Sequence, residues 1–149
     1  MDSIANLPKG CTNFKTRQLA RLLSRHYDAE LARAGLKTTQ YSLLSNVLHL
    51  GPIAPGELAR RMGLDASTLT RNLQPLLAAG WLLQEAGADA RSRCISLTPA
   101  GREKQAEAQR HWKAAQQNVN AVLGLERVAA LHTLLDDCMA RLGSEADST

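Results

Sequence analysis

The sequence predicts a mainly α-helical fold with a small β-hairpin, an α+β arrangement in a single domain spanning residues 1–149. Three observations support this prediction. Apolar residues make up 44% of the chain and aromatic residues only 3%, so Leu and Ala supply most of the apolar content and favour helices. Apolar residues recur at spacings of three and four along most of the chain. Two short β-compatible runs, 81–86 and 94–98, flank a loop and indicate a hairpin.

Two helices open the predicted fold. The first covers 14–34, because leucines at spacings of three and four share one face and Gly35 supplies a stop. The second starts at a threonine cap, Thr38 or Thr39, and ends at the Gly51-Pro52 dipeptide.

The next two helices are short and adjacent, which predicts a helix-turn-helix. One starts at Pro55 and ends at Gly63, a residue that tolerates the positive φ of a tight turn. The other is capped by Asp65 and closed by Gly80. The small side chain of Ala59 lets the two helices approach each other. The apolar residues that face inward from the second helix are Leu69, Leu73, Leu76 and Leu77.

Two long helices end the chain after the hairpin. Thr98-Pro99 starts the first of them, because a capping hydroxyl precedes a proline at the first helical position, and Gly124 ends it. The last helix carries apolar residues at helical spacing as far as Leu142. These helices have more apolar face than a small three-helix core can cover. We therefore expect a second copy of the chain to cover the rest as a two-fold homodimer.

The polar face of the second helix in the helix-turn-helix is suited to DNA. Short hydroxyls and a guanidinium near a helix N-terminus can contact phosphates and base edges in a major groove. The candidates on this helix are Ser67, Thr68, Thr70, Arg71 and Gln74. At the hairpin tip, Arg91 and Arg93 can reach an adjacent minor groove, and Asp89 is predicted to orient an arginine there through a bidentate pair. The alternative is an ordinary solvated surface helix.

Four segments of the chain, in this order, resemble the MarR (multiple antibiotic resistance regulator) family of bacterial regulators. They are Glu57–Ala59, Ser67–Leu73, Asp89–Arg93 and Leu97–Gly101, and the resemblance extends from about Phe14 to Leu142. The resemblance implies a palindromic double-stranded DNA operator and repression relieved by a small effector. It also implies major-groove contacts for Ser67, Thr68, Thr70 and Arg71, and a minor-groove contact for Arg91.

The predicted architecture is a winged helix-turn-helix flanked by N- and C-terminal dimerisation helices. The dimerisation helices cover 14–37 and 99–142, and the winged DNA-binding lobe covers 38–98. Residues 143–149 are polar, and we expect them to form a disordered tail.

A stripe of arginines on the first helix suggests the class of effector. Arg17, Arg21 and Arg25 lie on one face of the helix that borders the ligand crevice in similar proteins. With His26 and Tyr41 nearby, they predict an anionic aromatic ligand. A solvated charged face is the alternative interpretation.

Cys11 offers a second hypothesis, in which the regulator senses oxidants. Organic-hydroperoxide sensors of the resembled family have a cysteine near the start of the first helix, hydrogen-bonded to tyrosines, and Tyr41 aligns with one of these. The chain departs from that pattern, because Cys11 lies two residues earlier and Arg17 occupies the position of the second tyrosine. Cys94 and Cys138 fall within apolar patterns and are predicted to be small core residues.

Several other functions are not expected. The chain has no nucleophile elbow, glycine-rich phosphate loop or HExxH sequence, so we do not expect an enzyme or a cofactor. Its histidines are scattered, which argues against a metal site. The lack of a signal peptide or a long apolar run predicts a cytoplasmic protein without a membrane partner. The net charge of +4 is weak support for DNA binding, and a winged-helix module that binds only proteins is the remaining alternative.

Overall fold

The computed structural model describes residues 7–87, 89 and 92–146, with the side chain of Ala146 excepted. Helices dominate this part of the chain, and one antiparallel hairpin interrupts them, as the sequence predicts. The elements in chain order are α1 Thr12–Leu31, α2 Thr38–Leu50, α3 Pro55–Met62, α4 Ala66–Ala78, β1 Leu82–Ala86, β2 Arg93–Leu97, α5 Pro99–Leu123 and α6 Leu125–Ala146. A 3-10 turn, Ala32–Ala34, connects α1 to the loop before α2.

The core of the central lobe lies where α2, α3, α4 and the hairpin meet. Leucines at helical spacing place their side chains there, and burying each contributes about 1.5–3 kcal/mol relative to exposure. The side chains that are less than 2% exposed include Leu43, Leu44, Leu58, Leu69, Leu76 and Ile95. Because Leu69 and Leu76 of α4 are buried in this core, the rotation of α4 about its own axis is fixed. This rotation determines which side chains of α4 face solvent.

The hairpin is attached to the lobe through its second strand. β1 and β2 pair antiparallel, with Leu82 opposite Leu97 and Ala86 opposite Arg93. Ile53, in the loop between α2 and α3, exchanges two backbone hydrogen bonds with Ile95, of 3.0 Å and 2.8 Å. The loop thus acts as a short third strand and holds the base of the hairpin against the helices.

A side chain of α1 caps the start of α2, and the sequence does not predict this tertiary contact. Lys37 is the N-cap residue, and Thr38 is the first residue of α2. The Asp28 carboxylate of α1 accepts hydrogen bonds from the Thr38 N–H at 2.7 Å and the Thr38 hydroxyl at 2.6 Å. The expectation that Thr38 or Thr39 would cap this helix is therefore wrong, because a carboxylate from α1 satisfies the free N–H instead.

The ends of the chain also differ from the prediction. α1 starts at Thr12 rather than 14, with the Sγ of Cys11 accepting a hydrogen bond from the Phe14 N–H at 3.5 Å. α6 continues to Ala146, so the tail expected from residue 143 is helical over residues 143–146. In the part of the chain that the structure describes, none of the helices is both long and apolar enough to cross a membrane.

Candidate nucleic-acid interface

Helix α4 has an apolar face and a polar face on opposite sides. Leu69, Leu73 and Leu76 are buried, at 5% exposure or less. Ser67, Thr70, Arg71 and Gln74 are exposed on the opposite side, and Thr68 is half-buried beside them. The helix continues through Pro75, which lies on the exposed side. The structure therefore brings the five predicted α4 residues to one accessible surface.

The start of α4 is held by Asp65. Its carboxylate accepts hydrogen bonds from the Thr68 N–H at 2.7 Å and from the Ser67 hydroxyl at 2.8 Å. The hydrogen bond from the Thr68 backbone is the main cause that lowers the pKa of Asp65 to about 2, followed by the Ser67 side chain, with a smaller effect from the charge of Arg71. The first turn of α4 is thus fixed, and its Ser67 and Thr68 are held in place before any ligand arrives.

The hairpin that follows α4 forms a projecting wing. Its turn is closed by hydrogen bonds from the Gly87 N–H to the Ser92 carbonyl at 2.7 Å and from the Ser92 N–H to the Asp89 carbonyl at 2.9 Å. Arg93 begins β2 and is exposed. Arg91, the predicted minor-groove residue, lies outside the described residues. The orienting role of Asp89 therefore remains a prediction.

The adjacent helix α3 adds two arginines that are not among the predicted DNA contacts. The Arg60 guanidinium contacts the Glu57 carboxylate at 2.6 Å and 3.0 Å, and the Arg61 Nε contacts it at 3.0 Å. These contacts, Arg60 first, lower the pKa of Glu57 to about 2. The group carries one net positive charge and lies on the first helix of the helix-turn-helix. In known DNA complexes of helix-turn-helix domains, the corresponding helix crosses the DNA backbone. In the sequence, the spacing of Arg60 and Arg61, three and four residues after Glu57 on a predicted helix, could have indicated this charged group.

A cavity of about 370 Å³ lies between α1, α2 and α5, away from the exposed face of α4. Three aromatic side chains line it, namely Tyr27, Tyr41 and Trp112. Four small polar side chains of α2 complete the lining, namely Thr38, Ser42, Ser45 and Asn46. The rings of Tyr41 and Trp112 stack at 6.2 Å between centroids, with 26° between their planes. This combination of apolar rings and a few polar groups is typical of a small-molecule site.

The residues predicted to bind an anionic effector do not line one pocket within the chain. Tyr41 lines the cavity, but Arg17 and Arg21 are exposed and do not line it. His26 lies in a separate apolar groove with Leu19, Leu22 and Val119. Leucines of α1 lie beside α5, and the arginines of α1 are exposed. An effector site built from the arginines together with His26 and Tyr41 remains a prediction.

Cys11 is the N-cap of α1 and is exposed. It lies 16 residues before Tyr27, which is about 24 Å along a helix, so α1 does not bring Cys11 to the cavity tyrosines of its own chain. Its role in oxidant sensing remains a prediction. Cys138 is exposed rather than part of a core, because its helix leaves most of its surface uncovered, and Cys94 is half-buried. Among the described residues, no three His, Cys, Asp or Glu side chains are grouped as a metal site would require.

Comparisons with known proteins agree with this geometry. The sequence profile of the MarR family matches residues 34–92. The crystal structure of the transcriptional regulator MosR of M. tuberculosis in complex with DNA is similar with a TM-score of 0.71 and 35% identity, covering 87% of this chain and 98% of that one. The relative YwoH of Bacillus subtilis, an uncharacterized HTH-type transcriptional regulator, is 30% identical over 90 residues, which are 60% of this chain and 66% of YwoH. The multiple antibiotic resistance protein MarR of Salmonella typhimurium is 30% identical over 96 residues, or 64% of this chain and 65% of that protein.

The matches cover slightly less than two thirds of YwoH and of the Salmonella protein, but nearly all of the MosR chain. The family profile spans α2 to the turn of the wing, which is the segment that carries the candidate interface. YwoH and MosR are named as transcriptional regulators, in agreement with the prediction that the chain is not an enzyme.

Proposed function

Because this chain belongs to the MarR family of transcription regulators, we propose that it binds a palindromic operator in double-stranded DNA as a homodimer and represses transcription. The observation that supports this most directly is the polar face of α4. Its first turn is fixed by Asp65, its leucines are buried, and its exposed side contains the donors and acceptors that read a major groove.

The proposed contacts divide between two grooves and the phosphate backbone. Arg71 and Gln74 on α4 are long enough to reach base edges, while the hydroxyls of Ser67, Thr68 and Thr70 lie near the helix N-terminus, where phosphates bind. Arg93, together with Arg91 at the wing tip, is proposed to enter the adjacent minor groove. The chain is similar to nearly all of the MosR chain, and the structure of MosR was solved in complex with DNA. This similarity supports DNA binding by the winged helix-turn-helix of the present chain.

The exposed apolar surface of the terminal helices supports the homodimer. α6 exposes large side chains that a monomer would be expected to bury, and their exposed fractions are 72% for Leu125, 63% for Leu134 and 71% for Leu142. α1 and α5 add Phe14, Leu22 and Val122. A two-fold dimer that covers these side chains presents two copies of α4, which predicts two half-sites separated by about one turn of DNA, or about 34–36 Å.

We further propose that a small aromatic molecule in the cavity between α1, α2 and α5 relieves repression. The cavity borders α2, which also packs against α4. A ligand can change DNA affinity only if it binds the DNA-competent and the DNA-free arrangements unequally, and α2 is placed to transmit such a difference. The arginine stripe suggests an anionic ligand, whereas the residues that line the cavity favour an uncharged one.

Fluorescence anisotropy with labelled DNA tests the proposed interface. The DNA would be the fragment upstream of the gene for this chain, beside sequences selected from a random pool. We expect Arg71→Ala to weaken specific binding by about 1–3 kcal/mol, as the loss of one base contact does. We expect Arg93→Ala to weaken binding and to reduce the slope of log K against log salt by about 1, because an arginine in a narrow minor groove lies in the negative potential of the phosphates and releases a counterion when it binds.

Arg33→Ala is the matched control, because Arg33 is an exposed arginine in the 3-10 turn after α1, paired with Glu30 at 3.7 Å and outside the proposed interface. It should leave both affinity and salt slope unchanged. If the wild-type protein bound no DNA from the random pool even at low salt, the proposal would be wrong. A winged-helix module that binds only proteins would then be the better interpretation.

A further inference from the structure

The arginine stripe of α1 consists of Arg17, Arg21 and Arg25, and all three side chains are exposed. Successive members are four residues apart, so the stripe is about 12 Å long and its members fall within an arc of about 80° around the helix axis. The stripe belongs neither to the polar face of α4 nor to the wing.

The three arginines make no ion pairs within the described part of the chain. From residue 7 to residue 27 the chain contains five Lys or Arg residues and no Asp or Glu. Like charges four residues apart on a helix repel each other and destabilise it. The stripe therefore does not stabilise α1, which indicates that its charges bind an anion outside the chain.

The length of the stripe favours a polyanion over a small molecule. Three guanidinium groups spread over about 12 Å can engage several separate anionic groups, whereas a single carboxylate on an aromatic ring engages one of them. Duplex DNA carries one negative charge per about 1.7 Å of its axis, so a segment as long as the stripe presents about seven charges. The planar guanidinium group also matches the geometry of phosphate, which it binds through two parallel hydrogen bonds.

The apolar residues of α1 do not favour a lipid surface. A helix that binds a membrane surface needs an apolar face that enters the lipid. The leucines of α1 instead line a groove against α5, namely Leu19, Leu22 and Leu23. Within the arc of the stripe, Phe14 is the single large apolar residue of α1.

The two edges of the stripe face different parts of the molecule. On one side, Ser24 lies about 20° from Arg17 around the helix axis, and it lines a cavity together with Asn72 of α4. On the other side, Leu22 lies about 60° from Arg25. Leu22 is 48% exposed and belongs to the apolar surface that the proposed dimer covers. The stripe therefore lies between the DNA-binding lobe and the dimer surface.

In the proposed homodimer, the two stripes face the gap between the two DNA-binding lobes. Helix α5 packs on the opposite side of α1, so the chain itself does not fill this gap. The two copies of α4 would occupy half-sites about 34–36 Å apart, and the DNA that joins the half-sites spans the gap. The phosphates of this central DNA segment are therefore the anions that the stripes would meet.

We propose that the arginine stripe of α1 binds phosphates of the DNA segment between the two half-sites. This inference rests on the proposed function, because it needs both the homodimer and DNA on α4. It adds a third DNA contact to those of α4 and the wing, and it differs from the small anionic ligand that the sequence predicts. Phosphate contacts raise the affinity for all sequences, whereas base contacts from α4 specify the operator.

The salt dependence of binding measures the number of phosphate contacts. A triple variant, Arg17→Gln with Arg21→Gln and Arg25→Gln, removes the charges and keeps residues that favour a helix. Its binding would be measured by fluorescence anisotropy with a labelled duplex of about 30 base pairs and fixed mixed sequence, which accommodates two half-sites. Between about 50 and 200 mM salt, we expect the slope of log K against log salt to fall by at least about 2, because each lost phosphate contact lowers it by about 0.9.

A second triple variant is the matched control. Arg33→Gln, Arg110→Gln and Arg127→Gln remove the same charge from exposed positions in the 3-10 turn, α5 and α6. We expect this variant to keep the wild-type slope. Circular dichroism melts and light scattering of both variants would establish that they are folded and dimeric.

Neutral phosphate analogues locate the contact on the DNA. In a duplex selected from the random pool, uncharged methylphosphonate linkages would replace phosphates at the centre between the half-sites or, as a control, at both ends. We expect the central replacement to weaken binding of the wild type by at least about fivefold and to leave binding of the stripe variant unchanged, because only the wild type loses contacts there. Replacement at the ends should affect both proteins equally.

The proposal is overturned if the stripe variant keeps the wild-type slope, if the control variant loses as much slope, or if central methylphosphonates weaken both proteins equally. A stripe variant that dissociates into single chains would also overturn it, because the arginines would then pair with acidic residues of the second copy. So would phosphatidylglycerol vesicles that bind the wild type and not the stripe variant while the DNA slope stays the same.

The Arg71→Ala variant separates failure of this proposal from failure of the proposed function. If Arg71→Ala loses specific binding while the stripe variant keeps the wild-type slope, only the contact by α1 is rejected. If the wild-type protein binds no duplex at low salt, the proposed function is rejected together with it.

Discussion

At the scale of single residues, hydrogen bonds in the first turn fix the starts of α4 and α5. Asp65 accepts from Ser67 and Thr68 at the start of α4. Thr98 accepts from the Gly101 N–H at 3.0 Å at the start of α5, while its own hydroxyl donates to the Gly80 carbonyl at 2.6 Å. Both caps follow from residue type and position, and the sequence predicts both. The cap of α2 by Asp28 does not follow in this way, because the two residues meet only after α1 and α2 have packed.

Asp65 also predicts a dependence of stability on pH. Its pKa falls from 3.8 to about 2 on folding, so the folded state gains stability while the carboxylate is ionised in both states. That gain is present above the unfolded pKa and is lost as the pH falls through about 4 toward 2. We expect Asp65→Asn, which keeps a capping oxygen without the titration, to lose less thermal stability than the wild type between pH 5 and pH 3. Circular dichroism melts at fixed protein concentration would measure the difference.

Glu57 contributes in the same direction, since its pKa is also lowered to about 2, so the Asp65→Asn protein should retain part of the acid sensitivity. The control is Asp136→Asn, an exposed aspartate within α6. Equal acid sensitivity in the two variants would show that the cap at Asp65 does not stabilise the folded state through its charge.

At the scale of elements, the base of the wing is packed against the start of α5. Gly101 in α5 is buried against Trp81 and Leu97, and a Cβ built on it would overlap the Trp81 carbonyl oxygen and lie 3.0 Å from the Leu97 Cδ1. Because Thr98 also bonds Gly80 and Trp81, the end of α4, the start of β1 and the start of α5 form one junction. This junction fixes the orientation of the wing relative to α4.

The junction predicts that Gly101→Ala is destabilising although alanine is the better helix former. The gain in helix propensity is about 1 kcal/mol, and the overlap with backbone at Trp81 costs more, because backbone cannot move aside as a flexible side chain can. We expect a net loss of about 2 kcal/mol in the free energy of unfolding, measured with urea. Gly56→Ala in α3 is the control, since a Cβ there meets nothing within 4 Å and stability should stay the same or rise. A stable Gly101→Ala protein would contradict the close packing at this junction.

At the scale of the whole molecule, the chain leaves a large apolar surface on its terminal helices. Helix α6 packs against α5, and Val128 near the start of α6 is buried. Most of the other large apolar side chains of α6 are exposed. The proposed dimer would cover this surface and determine the distance between the two copies of α4.

Light scattering after gel filtration tests the dimer. We expect the wild type to elute with twice the chain mass of 16.2 kDa, and we expect Leu134→Glu to shift the mass toward that of one chain, because it places a charge in the proposed interface. Leu83→Glu is the matched control, an equally nonconservative change at an exposed leucine of β1 in the wing. A wild-type protein of single-chain mass would contradict the dimer, and so would a Leu134→Glu protein that stays dimeric.

The sequence alone determined the type and order of the elements and the exposed face of α4. This was possible because helical spacing, capping residues and glycine stops are local, and because the buried leucines of α4 leave only one face for Ser67, Thr70 and Arg71. Only the tertiary structure decided which residues far apart in the sequence come into contact. Packing of α1 on α5 turned Arg17 and Arg21 away from Tyr41, brought Tyr27 and Trp112 to it, and placed Asp28 at the start of α2. A helical pattern specifies which residues share a face, but only the packing of several helices specifies what that face meets.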